Sequence, residues 1–203
     1  MAWAVPYSKD RINHTPRYIP NYPGIQSNNS TSSITVFSDL RFGDSRSEYK
    51  DPKTTAVMNF VLDDECSDLV VLDGDLISCE NVAPDKFNGI IDQVVPPLVS
   101  RNQPFALTFG NHDCSETWST RSMALHMWWD IKGNKGEKHP FTTQSVEGPV
   151  EQVGWSNYYI PVYSSADGDK LEMLLWFFDS KVGKVFQPGA NLDTPVGSCV
   201  DQR

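Results

Sequence analysis

The sequence predicts an α/β protein with a mixed, largely parallel β-sheet and flanking helices. Three short apolar runs have the length and composition of buried strands, and two segments with helical periodicity separate them. The predicted strands are residues 34–37, 68–72 and 105–109. Because strand, helix and strand at this spacing form right-handed crossovers, the three strands are expected to run parallel.

Two helices are predicted between these strands. The first covers residues 52–65, with Asp51 as its N-cap and Pro52 at its first position. Its apolar residues are expected to form one stripe, made of Val57, Phe60, Val61 and Leu62. The second helix opens at Pro84 and should end or kink at Pro96 and Pro97. Its inner face is expected to carry Phe87, Ile90, Ile91, Val94 and Val95.

The later part of the domain adds further predicted elements. Residues 114–130 have a helical pattern, and residues 132–154 form a polar, glycine-containing stretch that is typical of a long loop. Two strands are predicted over 158–163 and 171–178, joined as a hairpin around residues 166–169. An antiparallel pair of strands is therefore expected in this part of the domain.

The ends of the chain show no periodicity. Residues 1–30 are rich in proline, asparagine, serine and tyrosine, which predicts an extended or disordered N-terminal arm. The domain itself is expected to cover residues 31–203. The four cysteines, Cys66, Cys79, Cys114 and Cys199, are widely spaced, which favours buried free thiols over a disulfide framework.

Charge and hydropathy exclude some classes of function. The net charge is −9 and the pI is about 4.8, which argues against non-specific binding to nucleic acid or to an anionic membrane. No apolar run approaches the length of a transmembrane helix, and no signal peptide core is present, so a cytoplasmic protein is expected by default. The acidic balance is compatible with a cation site.

Ligand-bearing side chains follow each of the three predicted parallel strands. Asp39 follows the first strand, Asp75 lies in a Gly-Asp pair after the second, and Asn111, His112 and Asp113 follow the third. The carboxyl ends of parallel strands meet at one edge of a sheet, so these side chains should converge on one crevice. The pattern is typical of a metal site.

These motifs resemble those of the calcineurin-like metallophosphoesterases, which are two-metal hydrolases of phosphate esters. The resemblance implies the N-terminal part of an α/β/β/α sandwich. It also implies that Asp39, Asp75 and Asn111 bind divalent metal ions, with Mn, Fe or Zn as the expected ions. In the same comparison His112 would stand over the phosphate and protonate the leaving oxygen, and Asp113 would orient His112.

Other segments resemble one branch of this family, the fungal and plant proteins allied to purple acid phosphatases. They are residues 102–106, 154–162 and 176–180. Purple acid phosphatases carry a tyrosine three residues beyond the aspartate of the second motif, and Ser78 stands at that position here. An iron–tyrosinate centre is therefore not expected.

Two departures from the family pattern point to an impaired site. Arg41 stands where the family usually has a metal-binding histidine, and a guanidinium has five donors but no lone pair for a cation. Arg41 could pair with Asp39 or Asp75, or it could bind a substrate phosphate as a bidentate donor. The family's last histidine motifs have no counterpart, since the other histidines are His14, His126 and His139, and the chain resembles an N-terminal portion of the domain.

Three functions follow from these observations. The first is a metal-dependent phosphoesterase with an impaired site. The second is a non-catalytic binding or regulatory protein that retains the phosphoesterase scaffold. The third is an interaction protein that uses an aromatic surface around Trp118, Trp128 and Trp129, although core packing is the simpler role for these side chains and a partly buried helical position is expected for His126.

Overall fold

The fold is described from a computed structural model, which describes residues 25–26, 32–113, 123, 126, 142, 145, 156–164 and 170–179. The strands are β1 Ile25–Gln26, β2 Ile34–Phe37, β3 Leu69–Asp73, β4 Phe105–Thr108, β5 Tyr158–Tyr163 and β6 Leu171–Phe177. The helices are α1 Ser47–Asp64, α2 Phe87–Val94 and α3 Pro96–Val99, with short 3₁₀ turns at Cys79–Asn81 and Pro84–Lys86.

The described strands form two three-stranded sheets. In the first, the order is β2-β3-β4 and both pairs are parallel, with Ile34 opposite Leu69 and Val70 opposite Phe105. In the second, the order is β1-β5-β6, with β5 and β6 antiparallel. The predictions of a parallel α/β core and of a later hairpin are confirmed.

Side chains of β3 and β4 pack on both faces of the first sheet, because alternate side chains of a strand point in opposite directions. Val70 and Leu72 of β3 pack with the buried side chains of the helices. Leu69 of β3 and Ala106 of β4 pack instead against the second sheet. The result is a layer of helices, a parallel sheet and a second sheet, and the carboxyl ends of β2, β3 and β4 remain at one edge.

Tyr158 joins the two sheets by a polar contact inside this core. Its side chain is buried, and its ring stacks on Phe177 with centroids 4.7 Å apart. The hydroxyl donates to the carbonyl of Leu107 at 2.8 Å and accepts from the N–H of Leu107 at 3.1 Å. Tyr158 thereby satisfies backbone groups of β4 that β3 does not pair.

The start of the first helix was predicted wrongly. The helix begins at Ser47 rather than at residue 52, after Arg46 in a left-handed conformation. Asp51 is not its cap. Asp51 is buried inside the helix, and its carboxylate accepts a hydrogen bond from the N–H of Gly43 at 3.1 Å. This long-range bond makes an internal aspartate acceptable, which the local pattern could not indicate.

The predicted apolar stripe of α1 is confirmed at Leu62 but not at Val57 or Phe60. Met58 and Leu62 are the buried apolar residues of the helix, whereas Val57 and Phe60 are 60% and 73% exposed. The second helix agrees with its prediction except at its start, because Pro84 opens a 3₁₀ turn and the α-helix begins at Phe87. Phe87, Ile91 and Val94 are buried, and a new short helix starts at Pro96.

Several predictions fall mainly on residues that the structure does not describe. They include the helix over 114–130, the loop over 132–154, the tail from 181 and most of the N-terminal arm. Within the arm, Ile25–Gln26 pairs with β5 as a strand. His126 is helical and mostly buried, as predicted. Cys79 is buried, as predicted, but the free thiol of Cys66 is exposed, contrary to its prediction.

No helix within the described part of the chain is long and apolar enough to cross a membrane.

Candidate functional site

The loops after β2 and β3 run side by side at the edge of the sheet. The N–H of Asp39 donates to the carbonyl of Gly74 at 3.2 Å, and the N–H of Arg41 donates to the carbonyl of Asp75 at 3.0 Å. Asp39, Arg41 and Asp75 have φ angles of 55°, 53° and 52°. A left-handed conformation costs a non-glycine residue about 1–2 kcal/mol, so the surrounding contacts must hold these three charged residues in place.

The guanidinium of Arg41 lies between the two carboxylates of this pair of loops. Its Nη2 is 3.2 Å from Oδ2 of Asp75, and its Nε is 3.5 Å from Oδ1 of Asp39. The Asp75 side chain is 13% exposed, whereas that of Asp39 is 62% exposed. Of the two roles predicted for Arg41, the ion pair is therefore present.

Asp39 also accepts a hydrogen bond from the residue that precedes it in the chain. The hydroxyl of Ser38 donates to Oδ2 of Asp39 at 2.7 Å. This hydrogen bond, and then the positive charge of Arg41, holds the pKa of Asp39 below its ordinary value. Asp39 is thus kept ionised by groups of the protein itself.

The third motif approaches the second so closely that two glycines are required. A Cβ atom at Gly110 would overlap Oδ1 and the backbone nitrogen of Asp75. Gly74 has a φ of 73°, and a Cβ atom there would lie 2.7 Å from the nitrogen of Gly110. Glycine at both positions lets the two strand ends meet without a gap.

Asp113 is fully buried beneath the crevice and binds backbone. Its Oδ2 accepts from the N–H groups of Asp75 and Gly110, both at 2.7 Å. Its Oδ1 accepts from Leu76 at 2.7 Å and from Ile77 at 3.1 Å. Burial raises the pKa of Asp113 to about 7, against the opposing effect of these hydrogen bonds. The role predicted for Asp113, orienting His112, stays a prediction.

His112 lies at the rim of the same crevice. Its backbone N–H donates to Oδ1 of Asp75 at 2.9 Å, so the second and third motifs are joined here as well. Its ring Nδ1 is 2.5 Å from Oε1 of Glu80. The sequence analysis did not identify Glu80, because no motif marks a glutamate five residues after Asp75.

The predicted site residues are therefore gathered at one edge of the sheet. Asp39 and Asp75 meet through Arg41, and His112 and Asp113 contact Asp75 through hydrogen bonds. Asn111 is exposed and lies in the turn between Gly110 and His112. His126 lies elsewhere, with its Nε2 2.9 Å from Asp92. His14 and His139 lie outside the described residues.

The described residues do not fit a two-metal centre. Among them, no three histidine, cysteine, aspartate or glutamate side chains lie together so that they could hold a metal ion. The two carboxylates that come together share the guanidinium of Arg41, which carries a positive charge and no lone pair. A cation would have to displace this side chain before it reached both Asp39 and Asp75.

Comparison with known proteins identifies the family to which these motifs belong. A model of the calcineurin-like phosphoesterase family matches residues 32–185. Phosphatase DCR2 of Saccharomyces cerevisiae is 29% identical over 147 residues, which is 68% of this chain and 23% of the yeast protein. The uncharacterized protein C1020.05 of Schizosaccharomyces pombe is 36% identical over 96 residues, 41% of this chain and 18% of that protein.

The chain thus spans less than a quarter of the length of these two curated relatives. No solved structure gives a significant match. The three-layer arrangement, with its parallel sheet and flanking helices, is consistent with part of the metallophosphoesterase fold. Since the family match covers most of the sequence and all three motifs, the chain belongs to the calcineurin-like phosphoesterase family.

Proposed function

We propose that the chain acts on phosphate esters as a hydrolase of this family whose metal site is impaired. The observation that carries the proposal is the position of Arg41, 3.2 Å from Asp75 and 3.5 Å from Asp39. Ions such as Mn, Fe and Zn need donors with lone pairs, and a guanidinium competes with them for the same carboxylates. Asp39, Asp75 and Asn111 remain the proposed ligands, at reduced affinity.

The chain's own residues supply two functions in this proposal. Arg41 neutralises the carboxylates and carries donors that suit a phosphate oxygen. His112, at the rim, exchanges a proton with the leaving oxygen of the ester. Asp113 supports both by holding the backbone of the second motif through its buried hydrogen bonds.

Metal content tests this proposal directly. Wild-type protein, Arg41→His and Asp75→Ala would be dialysed against Mn, Fe and Zn and then measured by elemental analysis. We expect wild type to retain fewer than about two ions per chain, the number a dinuclear site requires, and Arg41→His to retain more. Retention of about two ions by wild type, lost in Asp75→Ala, would contradict an impaired site.

Hydrolysis of p-nitrophenyl phosphate provides the second measurement. Wild type loaded with the same ions should hydrolyse the ester slowly but faster than His112→Ala. Equal rates would argue against hydrolysis at this site.

The same ion pair favours a second candidate, a non-catalytic binding or regulatory protein that retains the scaffold. Arg41 gives the carboxylates of Asp39 and Asp75 a counter-charge without a metal ion. The arrangement of these loops can therefore be stable in a protein that does not catalyse hydrolysis. In that case Arg41→His should gain little activity. A clear gain from this one substitution would exclude the second candidate and support the first.

A further inference from the structure

His112 is held at three points by one short segment, residues 75–80. Its N–H donates to Oδ1 of Asp75 at 2.9 Å, and its carbonyl accepts from the N–H of Cys79 at 3.0 Å. Its ring Nδ1 lies 2.5 Å from Oε1 of Glu80. Contacts at the N–H, the carbonyl and the ring leave this residue little freedom to turn.

We propose that Glu80 is a positioning residue that keeps a proton on Nδ1 of His112. An ionised carboxylate can only accept hydrogen bonds, so the nitrogen that faces Glu80 must carry the hydrogen. The neutral ring then has its lone pair on Nε2, and Nε2 becomes the atom that exchanges a proton with a phosphate ester. This last step rests on the proposed function, but the state of the ring does not.

Stability alone would not reveal such a role. The side chains of His112 and Glu80 are 22% and 33% exposed, and pairs at such positions typically contribute about 0–1 kcal/mol. A surface ion pair without a positioning role would have a similar effect on unfolding. The tautomer of the His112 ring is the property that separates the two roles.

Long-range ¹H–¹⁵N NMR of the imidazole rings measures that tautomer in the full chain without substrate. Spectra would be recorded at about pH 9, where a free imidazole is neutral and its two tautomers can be distinguished. His112→Gln identifies the His112 signals by their disappearance. Glu80→Ala removes the carboxylate, and Asp85→Ala, an exposed acid five residues further along the chain, serves as the matched control.

We expect the Nδ1–H tautomer in wild type and in Asp85→Ala, and a shift towards Nε2–H in Glu80→Ala. A wild-type ring in the Nε2–H form, or a Glu80→Ala spectrum identical to wild type, would overturn the proposal. The wild-type spectrum decides even if Glu80→Ala fails to fold. Because the measurement needs neither metal nor hydrolysis, failure of the proposed function would leave this result unchanged.

Discussion

The carboxylate of Asp113 accepts a hydrogen bond from the backbone N–H of Asp75 at 2.7 Å, and this bond ties the third motif to the second. The same oxygen also accepts from Gly110 at 2.7 Å. A buried acid therefore joins the loops after β3 and β4, while Arg41 joins the loops after β2 and β3 through Asp39 and Asp75.

Replacing Asp113 should destabilise the protein in a pH-dependent way. Asp113→Asn replaces an oxygen that accepts from two N–H groups, and that can still accept when the acid is protonated, by an amide nitrogen that cannot accept; this should lower the free energy of unfolding by at least about 2 kcal/mol. Burial raises the pKa of Asp113 from 3.8 to about 7, so between these values the folded chain holds a proton that the unfolded chain has lost. The contribution of Asp113 to stability therefore falls as pH rises through this window.

Urea unfolding of wild type and Asp113→Asn between about pH 4 and about pH 8 measures this effect. The difference in the free energy of unfolding between wild type and Asp113→Asn should be largest at the lowest pH and should become smaller towards neutral pH. A constant difference across the range would show that Asp113 does not take up a proton on folding.

The close contact at Gly110 predicts a large effect of a single methyl group. Gly110→Ala would push a Cβ atom into the carboxylate and backbone of Asp75, and overpacking of this kind costs roughly 1–3 kcal/mol. Gly89 is the matched control, because it lies in α2 and a Cβ atom added there would meet nothing within 4 Å. Gly89→Ala should stabilise the helix by about 0.5–1 kcal/mol. Thermal unfolding of both variants measures the change in Tm, which should be negative for Gly110→Ala and positive for Gly89→Ala.

Removing the charge of Arg41 should create a dependence on divalent cations. Arg41→Ala leaves the mostly buried carboxylate of Asp75 without its counter-charge, which should cost about 1–3 kcal/mol. Mn²⁺ can then partly restore the lost charge, so it should raise the Tm of Arg41→Ala more than that of wild type. Lys50→Ala removes a cation from a pair with Asp44 and serves as control. Equal Mn²⁺ shifts in all three proteins would count against the counter-charge role.

The hydroxyl of Tyr158 should contribute measurably to the packing of the two sheets. Tyr158→Phe keeps the ring on Phe177 but leaves the carbonyl of Leu107 without its hydroxyl donor, a loss of about 1 kcal/mol. Tyr49, which is 61% exposed, provides the comparison. Tyr49→Phe should change the free energy of unfolding by less than about 0.5 kcal/mol, and equal losses would refute the bridging role.

The corrected face of α1 can be tested with two neighbouring residues. Met58 is fully buried and Val57 is 60% exposed, although the sequence pattern predicted Val57 on the apolar stripe. Met58→Ala should therefore cost about 2–5 kcal/mol, and Val57→Ala should cost less than about 1 kcal/mol. Chemical denaturation of the two variants measures both losses in the free energy of unfolding. A larger loss for Val57→Ala than for Met58→Ala would support the predicted stripe.

Much of the core could be predicted because the relevant signals are local. Alternating strand and helix patterns located β2, β3, β4 and α2, and the two prolines marked the end of α2. The start of α1 was missed because proline and aspartate at 51–52 have the pattern of a helix start. In the folded chain Asp51 instead accepts from the N–H of Gly43, a residue outside the helix.

The sequence by itself determined which candidate site residues follow the strands of one parallel sheet: Asp39, Asp75, Asn111, His112 and Asp113. It could do so because the signals for the end of a strand and for a glycine turn come from neighbouring residues in the chain. The partners of these side chains depended on the tertiary structure. From the sequence, Arg41 could pair with Asp39 or Asp75 or could bind a phosphate, and no motif marked Glu80. Their contacts with Asp75 and His112 form only when strand ends far apart in the chain meet, since a charge pairs with whatever the fold places within a few ångströms.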